Sequence, residues 1–364
     1  MKILIISTVK PYDGSGSGLT DYAYQLIKHM KPLLKKGGSI EELYALEKAK
    51  KNNISGLVRV NTAFKRKVAA VPRDKYDIIH IADQEIGFAA KVLKKARNKA
   101  KIVTTIHDLA RFEKNLHRGF AQKVYNKLIR GSTVDVIKYS DIILCNSSQT
   151  YETIERRFHN PKNLKVVLHG VDDKFIKIKN YRKQEGRDKF VVGYIGALAY
   201  HKNVVFILKV AEKMKDDSRY MFEIYGKGPE LRNLMKFKER HLLNNVKFIG
   251  YINEKEKIRM YDNFDAFMFP SLYEGLGLPV LEAHARGLPV IVYKNSSLPK
   301  EVKELCISVK DPIEAAHVVS LVMKRRKRAS ARTVEMRQMK EFTWSKTAKK
   351  TLEIYKRKQI NMNL

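Results

Sequence analysis

The stretch AFMFPSLYEGLGLPVLEAHARGLPVIVYK, residues 266–294, carries the clearest structural signal in this chain. It begins as a short apolar strand, passes through a glycine-marked turn and a helix, and returns to a second apolar strand. Pro279 suits the first turn of the helix, because a missing backbone N–H costs nothing there. Gly287 suits the position just past the helix end, where a left-handed residue is wanted. The stretch therefore predicts a strand–helix–strand unit of a parallel sheet.

Short apolar, β-branched runs alternate with helical stretches along the rest of the chain. Runs that are almost continuously apolar are buried on both faces, which is typical of parallel sheets. The predicted strands are residues 2–7, 77–82, 101–106, 141–146 and 165–170, followed by 190–196, 220–226, 246–251, 266–271, 289–294 and 306–310. The polar stretch 174–189 separates the two series. The pattern predicts an α/β protein with two doubly wound parallel sheets, one after the other.

Length and composition fit this architecture. A chain of 364 residues with 44% hydrophobic content suits two globular domains. Cys145 and Cys306 give neither a disulfide framework nor metal-ligand spacing, so we expect two core cysteines in a reducing compartment. The opening MKILIIS enters a strand directly and predicts no signal peptide. No apolar run approaches the roughly 20 residues of a spanning helix. The sequence therefore predicts a cytoplasmic, soluble protein.

The net charge of +34 is spread over both halves of the chain. The positive electrostatic field of such a charge attracts nucleic acid, anionic lipid surfaces or phosphorylated small substrates. The alternative is that these lysines and arginines are ordinary hydrated surface residues without a specific partner. Residues 91–101 resemble a cationic helix end, and residues 111–130 mix cations with apolar residues at helical spacing. The second stretch predicts a basic amphipathic helix, and with it a peripheral position at the inner face of a membrane.

The glycine-marked turn predicts a ligand site. Gly275 and Gly277 leave the backbone bare before a helix N-terminus, where free amides and the helix dipole favour phosphate. Glu274 lies just before this turn and Glu282 about one turn inside the helix. Carboxylates beside a phosphate site are well suited to vicinal hydroxyls, because each oxygen accepts hydrogen bonds. The combination favours a nucleotide sugar. The alternative is a solvated helix glutamate and glycines that only shape the turn.

The stretch closely resembles the E-x7-E signature of retaining glycosyltransferases with the GT-B fold, of the family 4 (group 1) type. Further segments resemble this family in the same order along the chain: residues 16–26, 104–109, 168–175, 193–203, 224–230, 248–252, 295–302 and 341–356. The resemblance implies two Rossmann-like domains that face a central cleft. The implied parts are an N-terminal acceptor-side domain (1–175), a linker (176–189), a nucleotide-sugar-binding domain (190–343) and a C-terminal helix that crosses back onto the first domain (344–364).

The resemblance also implies roles for residues of the second domain. Glu282 would bind the ribose diol of the nucleotide, and Glu274 would bind hydroxyls of the donor sugar. Lys202 would contact the diphosphate, where a cation offsets charge on the leaving group. The pyrophosphate would be held by the backbone amides of Gly275, Leu276, Gly277 and Leu278. Without the resemblance, Lys202 would be one surface lysine among many.

Three positions in the first domain are candidate site residues. His107 matches a family histidine near the donor sugar and joins Lys202 and Glu274 as a catalytic candidate, although a lone histidine is more often structural. Gly18 would let a loop approach the phosphates or the acceptor, unless it belongs to an ordinary strand-to-helix turn. Asp108 is a secondary candidate because it follows His107.

The loop that opens the second domain departs from the family pattern. Gly196 and His201 are its secondary candidates. Many relatives carry an arginine soon after the strand glycine, where this chain has Ala197 and Leu198. Phosphate neutralisation would therefore fall to Lys202, with His201 or another cation helping.

The sequence contains no Ser-His-Asp or Cys-His arrangement, no metal-ligand cluster and no Asp-x-Asp at a strand end. The resemblance implies a metal-independent, retaining transfer without a cofactor, from a nucleotide sugar to a hydroxyl of a glycolipid, lipid-linked sugar or polysaccharide. A nucleotide-sugar epimerase-like enzyme of the same fold is one alternative. A non-enzymatic polyanion-binding protein is another, although no nucleic-acid-binding module is recognisable and we expect no nucleic-acid partner.

Overall fold

The computed structural model describes residues 1–10, 18–46, 54–112, 120–161, 163–176, 189–326 and 339–357. The chain divides into two compact units. Unit 1 comprises Met1–Gly170 together with Phe342–Leu364, and unit 2 comprises Val171–Glu341. Of the predicted linker 176–189, only the two end residues are described. The last helix of the chain is part of unit 1, although it follows unit 2 in sequence.

Strands and helices alternate along the described chain. The strands are β1 Lys2–Val9, β2 Ser39–Leu46, β3 Ile78–Ile81, β4 Lys101–Ile106, β5 Ile142–Cys145, β6 Leu164–Val166, β7 Phe190–Ile195, β8 Tyr220–Tyr225, β9 Val246–Gly250, β10 Ala266–Phe269, β11 Val290–Tyr293 and β12 Ile307–Val309. The helices are α1 Gly18–Met30, α2 Ile54–Ala69, α3 Phe88–Lys95, α4 Phe120–Tyr139, α5 Ser148–Arg157, α6 Asp173–Ile176, α7 Val204–Lys213, α8 Leu231–Arg240, α9 Glu254–Asn263, α10 Leu278–Ala285, α11 Lys300–Lys303, α12 Pro312–Arg326 and α13 Trp344–Lys356.

Each unit is built on one parallel sheet. The strand order is β2-β1-β3-β4-β5-β6 in unit 1 and β12-β11-β10-β7-β8-β9 in unit 2. The central strands are buried along their whole length, as the continuous apolar runs predicted. The strand order changes direction between β1 and β3 in unit 1 and between β7 and β10 in unit 2. In open α/β sheets, ligands bind beyond the carboxyl ends of the strands at such points. The predicted pair of doubly wound sheets is confirmed.

Strand β2 was not predicted. Its sequence SIEELYAL carries Glu41 and Glu42, and its residues are half-buried or exposed because β2 forms the edge of the sheet. A search for continuous apolar runs finds strands that are covered on both faces, so it passes over such an edge strand.

Three other predictions from the sequence differ in part from the structure. The stretch 165–170 is a strand only up to Val166. The cationic stretch 91–101 is not one helix end, because α3 ends at Lys95 and Lys101 begins β4. The predicted amphipathic helix 111–130 corresponds in part to α4, which begins at Phe120, and residues 113–119 lie outside the described chain.

Helix α13 completes the core of unit 1. Trp344 is buried and stacks on His169 with 5.6 Å between the ring centroids. The Tyr355 hydroxyl and His80 Nδ1 are 2.5 Å apart, and His80 Nε2 lies 2.8 Å from the Thr105 hydroxyl. These contacts attach the end of the chain to the central strands β3 and β4.

Unit 1 is expected to lose stability in acid because His80 is buried in a neutral state. Burial lowers the pKa of His80 from 6.5 to about 3. Between these values the unfolded chain binds a proton that the folded chain does not, so the free energy of unfolding decreases as the pH falls below the unfolded pKa. One such proton contributes about 2 kcal/mol between roughly pH 6.5 and pH 5.

The measurement is urea unfolding followed by fluorescence of Trp344, the single tryptophan of the chain. We expect the urea midpoint to fall with pH, and to fall less steeply in His80→Gln, which retains hydrogen-bonding groups but does not titrate. His159→Asn is the control, because His159 is exposed and has a left-handed backbone that asparagine tolerates. Equal pH dependence of wild type and His80→Gln would contradict this account.

Candidate active site

The loops after β7 and β10 meet at the carboxyl end of the unit 2 sheet. The carbonyl oxygen of His201 accepts hydrogen bonds from the Leu272 amide at 2.7 Å and from the Ser271 hydroxyl at 3.1 Å. Asn203, in the left-handed conformation, donates from Nδ2 to the Pro270 carbonyl at 3.2 Å. These bonds hold together the loops that carry Lys202 and Glu274, which are 72 residues apart in sequence.

Lys202 and Glu274 form an ion pair. The Lys202 Nζ donates to Glu274 Oε1 at 2.6 Å, and the two side chains are 17% and 10% exposed. The ammonium also lies 5.5 Å from the centroid of the Phe269 ring, a cation–π contact. Sequence analysis predicted both residues as site residues but not their contact. The pair places one cation and one acceptor, each partly accessible, at the same strand ends.

The turn before α10 leaves backbone amides available. Gly277 adopts the left-handed conformation at φ +83, and a Cβ there would lie 2.5 Å from a methyl of Leu298. Within the described chain, the amides of Leu276, Gly277 and Leu278 have no hydrogen-bond acceptor. Orphan amides at a helix N-terminus, together with the helix dipole, favour an anion. The turn therefore has the features that the glycine pattern predicted.

Glu282 is buried on α10 and is held by two residues of α9. The Tyr261 hydroxyl donates to Glu282 Oε2 at 2.8 Å, and Lys257 Nζ donates to Oε1 at 3.2 Å. Lys257 also pairs with Glu254 at 2.8 Å. A solvated helix glutamate would need no such partners. The alternative of a merely solvated Glu282 is therefore wrong.

Burial and neighbouring charges shift the pKa values of Glu282 and Lys257 in opposite directions. Burial raises the pKa of Glu282, and the charge of Lys257 opposes that rise. Burial would lower the pKa of Lys257, but the carboxylates of Glu282 and Glu254 outweigh it and raise that pKa. Lys257 therefore keeps its charge beside Glu282. A carboxylate has about four acceptor sites, so two donors leave room for a ligand's hydroxyls.

The loop after β7, which carries Lys202, is tightly packed. A Cβ at Gly226, which has φ +144, would lie 1.8 Å from the carbonyl oxygen of Gly196. Tyr194 donates its hydroxyl to the Ala197 carbonyl at 2.9 Å. Burial, and then the charge of Glu274, raise the pKa of Tyr194 well above its usual range. A Cβ on Gly196 itself would lie 2.7 Å from the Tyr194 hydroxyl, so close packing within this loop explains the glycine at 196.

The unit 1 candidates lie after β4 and at the start of α1. His107 is 7% exposed, and its Nε2 lies 2.8 Å from the Ala82 carbonyl. Burial lowers the pKa of His107, and the charge of Asp83 opposes that change. Asp108 accepts from the Ala110 amide at 2.8 Å, as in a local turn. Helix α1 begins at Gly18, and the loop before it lies outside the described residues.

Sequence reasoning missed Lys257 and Tyr261. They are four residues apart and so share one face of α9, but nothing in the sequence shows which carboxylate that face meets. It also missed Ser297, whose hydroxyl accepts from the Glu274 amide at 3.4 Å. These are contacts between segments distant in sequence.

In the described residues, no group of three or more His, Cys, Asp or Glu side chains is arranged to hold a metal ion. The same part of the chain contains no helix of the length and apolar character needed to cross a bilayer.

Comparison with known families assigns the class of protein. Residues 177–339 match the family model of glycosyl transferases group 1, and residues 40–175 match that of Glycosyltransferase Family 4. Together the two matches cover well over half of the chain. The chain therefore belongs to the group 1, family 4 type of glycosyltransferases. It is a transferase that uses a nucleotide-sugar donor, and the resemblance seen in the sequence is confirmed.

Individual relatives agree with this assignment. The chain is 27% identical over 292 residues to the O-antigen biosynthesis glycosyltransferase WclY of Escherichia coli, covering 77% of this chain and 79% of the relative. It is 28% identical over 234 residues to an Escherichia coli UDP-Gal:alpha-D-GlcNAc-diphosphoundecaprenol alpha-1,3-galactosyltransferase, covering 60% and 58%. Its fold is similar to that of Anabaena HepE, solved with UDP and glucose, at TM-score 0.69, 17% identity and coverage of 97% and 99%. The GT-B fold is thereby confirmed.

Proposed function

We propose that this glycosyltransferase transfers a sugar from a nucleotide-sugar donor to a hydroxyl of a glycan or lipid-linked sugar, with retention of configuration and without a metal ion. The observation that carries the proposal is the Lys202–Glu274 ion pair. It lies at the carboxyl ends of the unit 2 strands, as does the turn before α10. Relatives named for O-antigen synthesis and for a diphosphoundecaprenol-linked acceptor support this acceptor class.

The donor diphosphate is assigned to the α10 turn. The free amides of Leu276, Gly277 and Leu278 would donate to phosphate oxygens, and the helix dipole adds to that attraction. Lys202 would supply the full positive charge that the amides lack. Charge grows on the diphosphate as its bond to the sugar breaks, so a cation fixed at this position stabilises the transition state more than the ground state.

The two glutamates are assigned to the hydroxyls at either side of the diphosphate. Glu282 would accept from the ribose diol, with Tyr261 and Lys257 fixing its orientation. Glu274 would accept from hydroxyls of the donor sugar, while Lys202 limits the repulsion between this carboxylate and the phosphates. These interactions position the anomeric carbon.

The proposed chemical step exchanges one C–O bond for another on the same face of the sugar. The bond between the anomeric carbon and the diphosphate oxygen breaks through an oxocarbenium-like state. The acceptor hydroxyl oxygen bonds to that carbon, and its proton passes to the departing phosphate oxygen. The role of His107 in this transfer stays a prediction.

The test is a donor screen read by NMR of the product, with and without EDTA. We expect an α-linked nucleotide sugar to give an α-linked product at the same rate in both conditions. A β-linked product would contradict retention. Turnover that is lost in EDTA and restored by Mg²⁺ or Mn²⁺ would contradict metal independence.

Association with the cytoplasmic face of a membrane is a separate proposal, supported by the net charge of +34. The cationic stretch 91–101 contributes less than its sequence suggests. Lys91, Lys94 and Lys99 pair with aspartates, and Lys101 donates to carbonyls at the end of α13.

Flotation with liposomes tests this proposal. We expect binding to vesicles that contain phosphatidylglycerol, lost as salt rises toward about 0.5 M because exposed charges are then screened. Binding to zwitterionic vesicles is the control. Equal distribution with both vesicle types at low salt would contradict the proposal.

A further inference from the structure

The loop after β11, residues 294–299, supports the segment that carries Glu274. The Ser297 hydroxyl accepts from the Glu274 amide at 3.4 Å and donates to the Leu272 carbonyl at 3.2 Å. The Ser297 amide donates to the same Leu272 carbonyl at 3.1 Å. Three hydrogen bonds of one serine therefore hold the backbone on both sides of the residue before Glu274.

The β11 loop also supports the bare turn before α10. Leu298 is 3% exposed, and one of its methyl groups lies 2.5 Å from the position that a Cβ on Gly277 would take. Leu298 thus packs directly on the backbone of the turn that has free amides. The Leu298 amide donates to the Ser296 hydroxyl at 3.2 Å, so this packing depends on the conformation of the loop. Because packed interiors transmit strain, a shift of the loop would displace Glu274 and the free amides together.

Lys303, on α11, holds the start of the β11 loop. Its ammonium donates to the carbonyl oxygen of Lys294 and, at 3.0 Å, to that of Ser296. In the part of the chain that the structure describes, no carboxylate pairs with Lys303, so its charge-assisted hydrogen bonds go to backbone carbonyls of the loop. A lysine that served only hydration of the surface would extend its ammonium into water.

The segment that carries Lys303 is itself attached to α10. The thiol of Cys306, shortly after α11, lies 3.6 Å from Nε2 of His284, which is buried on α10. The segment 294–306 therefore contacts α10 twice, with the β11 loop at the turn and the thiol at the body of the helix. Lys303 connects these two contacts, because it bonds the loop from a position near the thiol.

We propose that Lys303 is a positioning residue for sugar transfer, acting through the β11 loop on Glu274 and on the α10 turn. The inference rests on the proposed function, because it adds a residue that acts on the same donor site. Lys303 holds the loop where the Ser297 hydroxyl meets the Glu274 amide. Without its two bonds, the loop carbonyls turn toward water and Glu274 loses its fixed direction toward the donor sugar. Precise placement of reacting groups supports the chemical step, so the effect falls on kcat.

The test compares wild type with Lys303→Met, Lys303→Arg and Lys300→Met as full-length proteins. Methionine has a similar length to lysine but cannot donate, whereas arginine can donate again. Lys300 lies on the same helix with its side chain 83% exposed, so Lys300→Met is the matched control. We expect Lys303→Met to lower kcat about ten-fold, Lys303→Arg to recover most of the rate, and Lys300→Met to equal wild type.

A double variant separates positioning from stability. Because Lys303 acts through Ser297, Ser297→Ala should lower kcat in the wild-type background and have little further effect in Lys303→Met. A lysine that only stabilised the fold would lower Tm and leave the kcat of the folded enzyme unchanged. Full, independent losses of kcat in the double variant overturn the proposal. Equal kcat values for Lys303→Met and Lys300→Met also overturn it.

Hydrogen exchange read by mass spectrometry gives a measurement that is independent of turnover. The peptides that cover residues 271–278 and 294–299 should exchange about ten-fold faster in Lys303→Met at their protected amides, and at the wild-type rate in Lys300→Met. Unchanged exchange in Lys303→Met overturns the proposal. Wild type that turns over no nucleotide sugar contradicts the proposed function instead, and the exchange result then still decides whether Lys303 holds the loop.

Discussion

Replacement of Lys202 by alanine is expected to lower kcat by about 10²–10³-fold, the usual cost of removing one group that stabilises developing charge. The Lys202 Nζ is 2.6 Å from Glu274, and its loss leaves that carboxylate without its cation beside the assigned diphosphate. Because the leaving group gains charge only as the reaction proceeds, kcat should change more than the donor KM. Steady-state kinetics with the donor found in the screen measures both.

Lys209→Ala is the matched control, since Lys209 is an exposed lysine on α7 of the same unit. Its kinetics should equal those of wild type. A melting temperature measured for each variant separates lost chemistry from lost folding. If Lys202→Ala and Lys209→Ala turn over equally fast, Lys202 has no part in charge stabilisation.

Replacement of Glu282 by glutamine should raise the donor KM by about 10²-fold, with a smaller effect on kcat. Hydrogen bonds to a charged group contribute about 1.5–3 kcal/mol each. With glutamine at 282, the two bonds from the diol are weakened and not abolished, because the side-chain amide oxygen still accepts. Glutamine keeps the shape of a side chain that is 9% exposed. Lys257 retains its pair with Glu254 at 2.8 Å, so the substitution does not leave a buried ammonium alone.

Glu239→Gln, on the exposed face of α8, is the control for this substitution. Steady-state kinetics over a range of donor concentrations should show its KM unchanged. An unchanged KM in Glu282→Gln, with normal folding, would mean that this carboxylate does not contact the donor.

The parallel sheets could be predicted because strands covered on both faces leave a continuous apolar run. Strand β2 could not, because an edge strand with Glu41 and Glu42 lacks that signal. The α10 turn could be predicted from Gly277 and Pro279, since backbone conformation is a local property of those residues. The parallel sheets and the site of free amides could therefore be predicted, because their signals are local in the sequence.

The partners of the site residues could not be predicted in the same way. Lys202 and Glu274 were each recognised, but their contact depends on the adjacency of β7 and β10. Lys257 and Tyr261 carry no distinctive spacing, and only the packing of α9 against α10 shows that they hold Glu282.

In the proposed donor complex, the α10 turn binds a diphosphate while Glu282 binds the ribose diol. Calorimetric titration of wild type and Glu282→Gln, with the best-binding nucleoside diphosphate and its 2′,3′-dideoxy analogue, measures both contacts. We expect wild type to bind the dideoxy compound about 10²-fold more weakly, and Glu282→Gln to discriminate far less between the two compounds. Equal discrimination by both proteins would contradict this assignment.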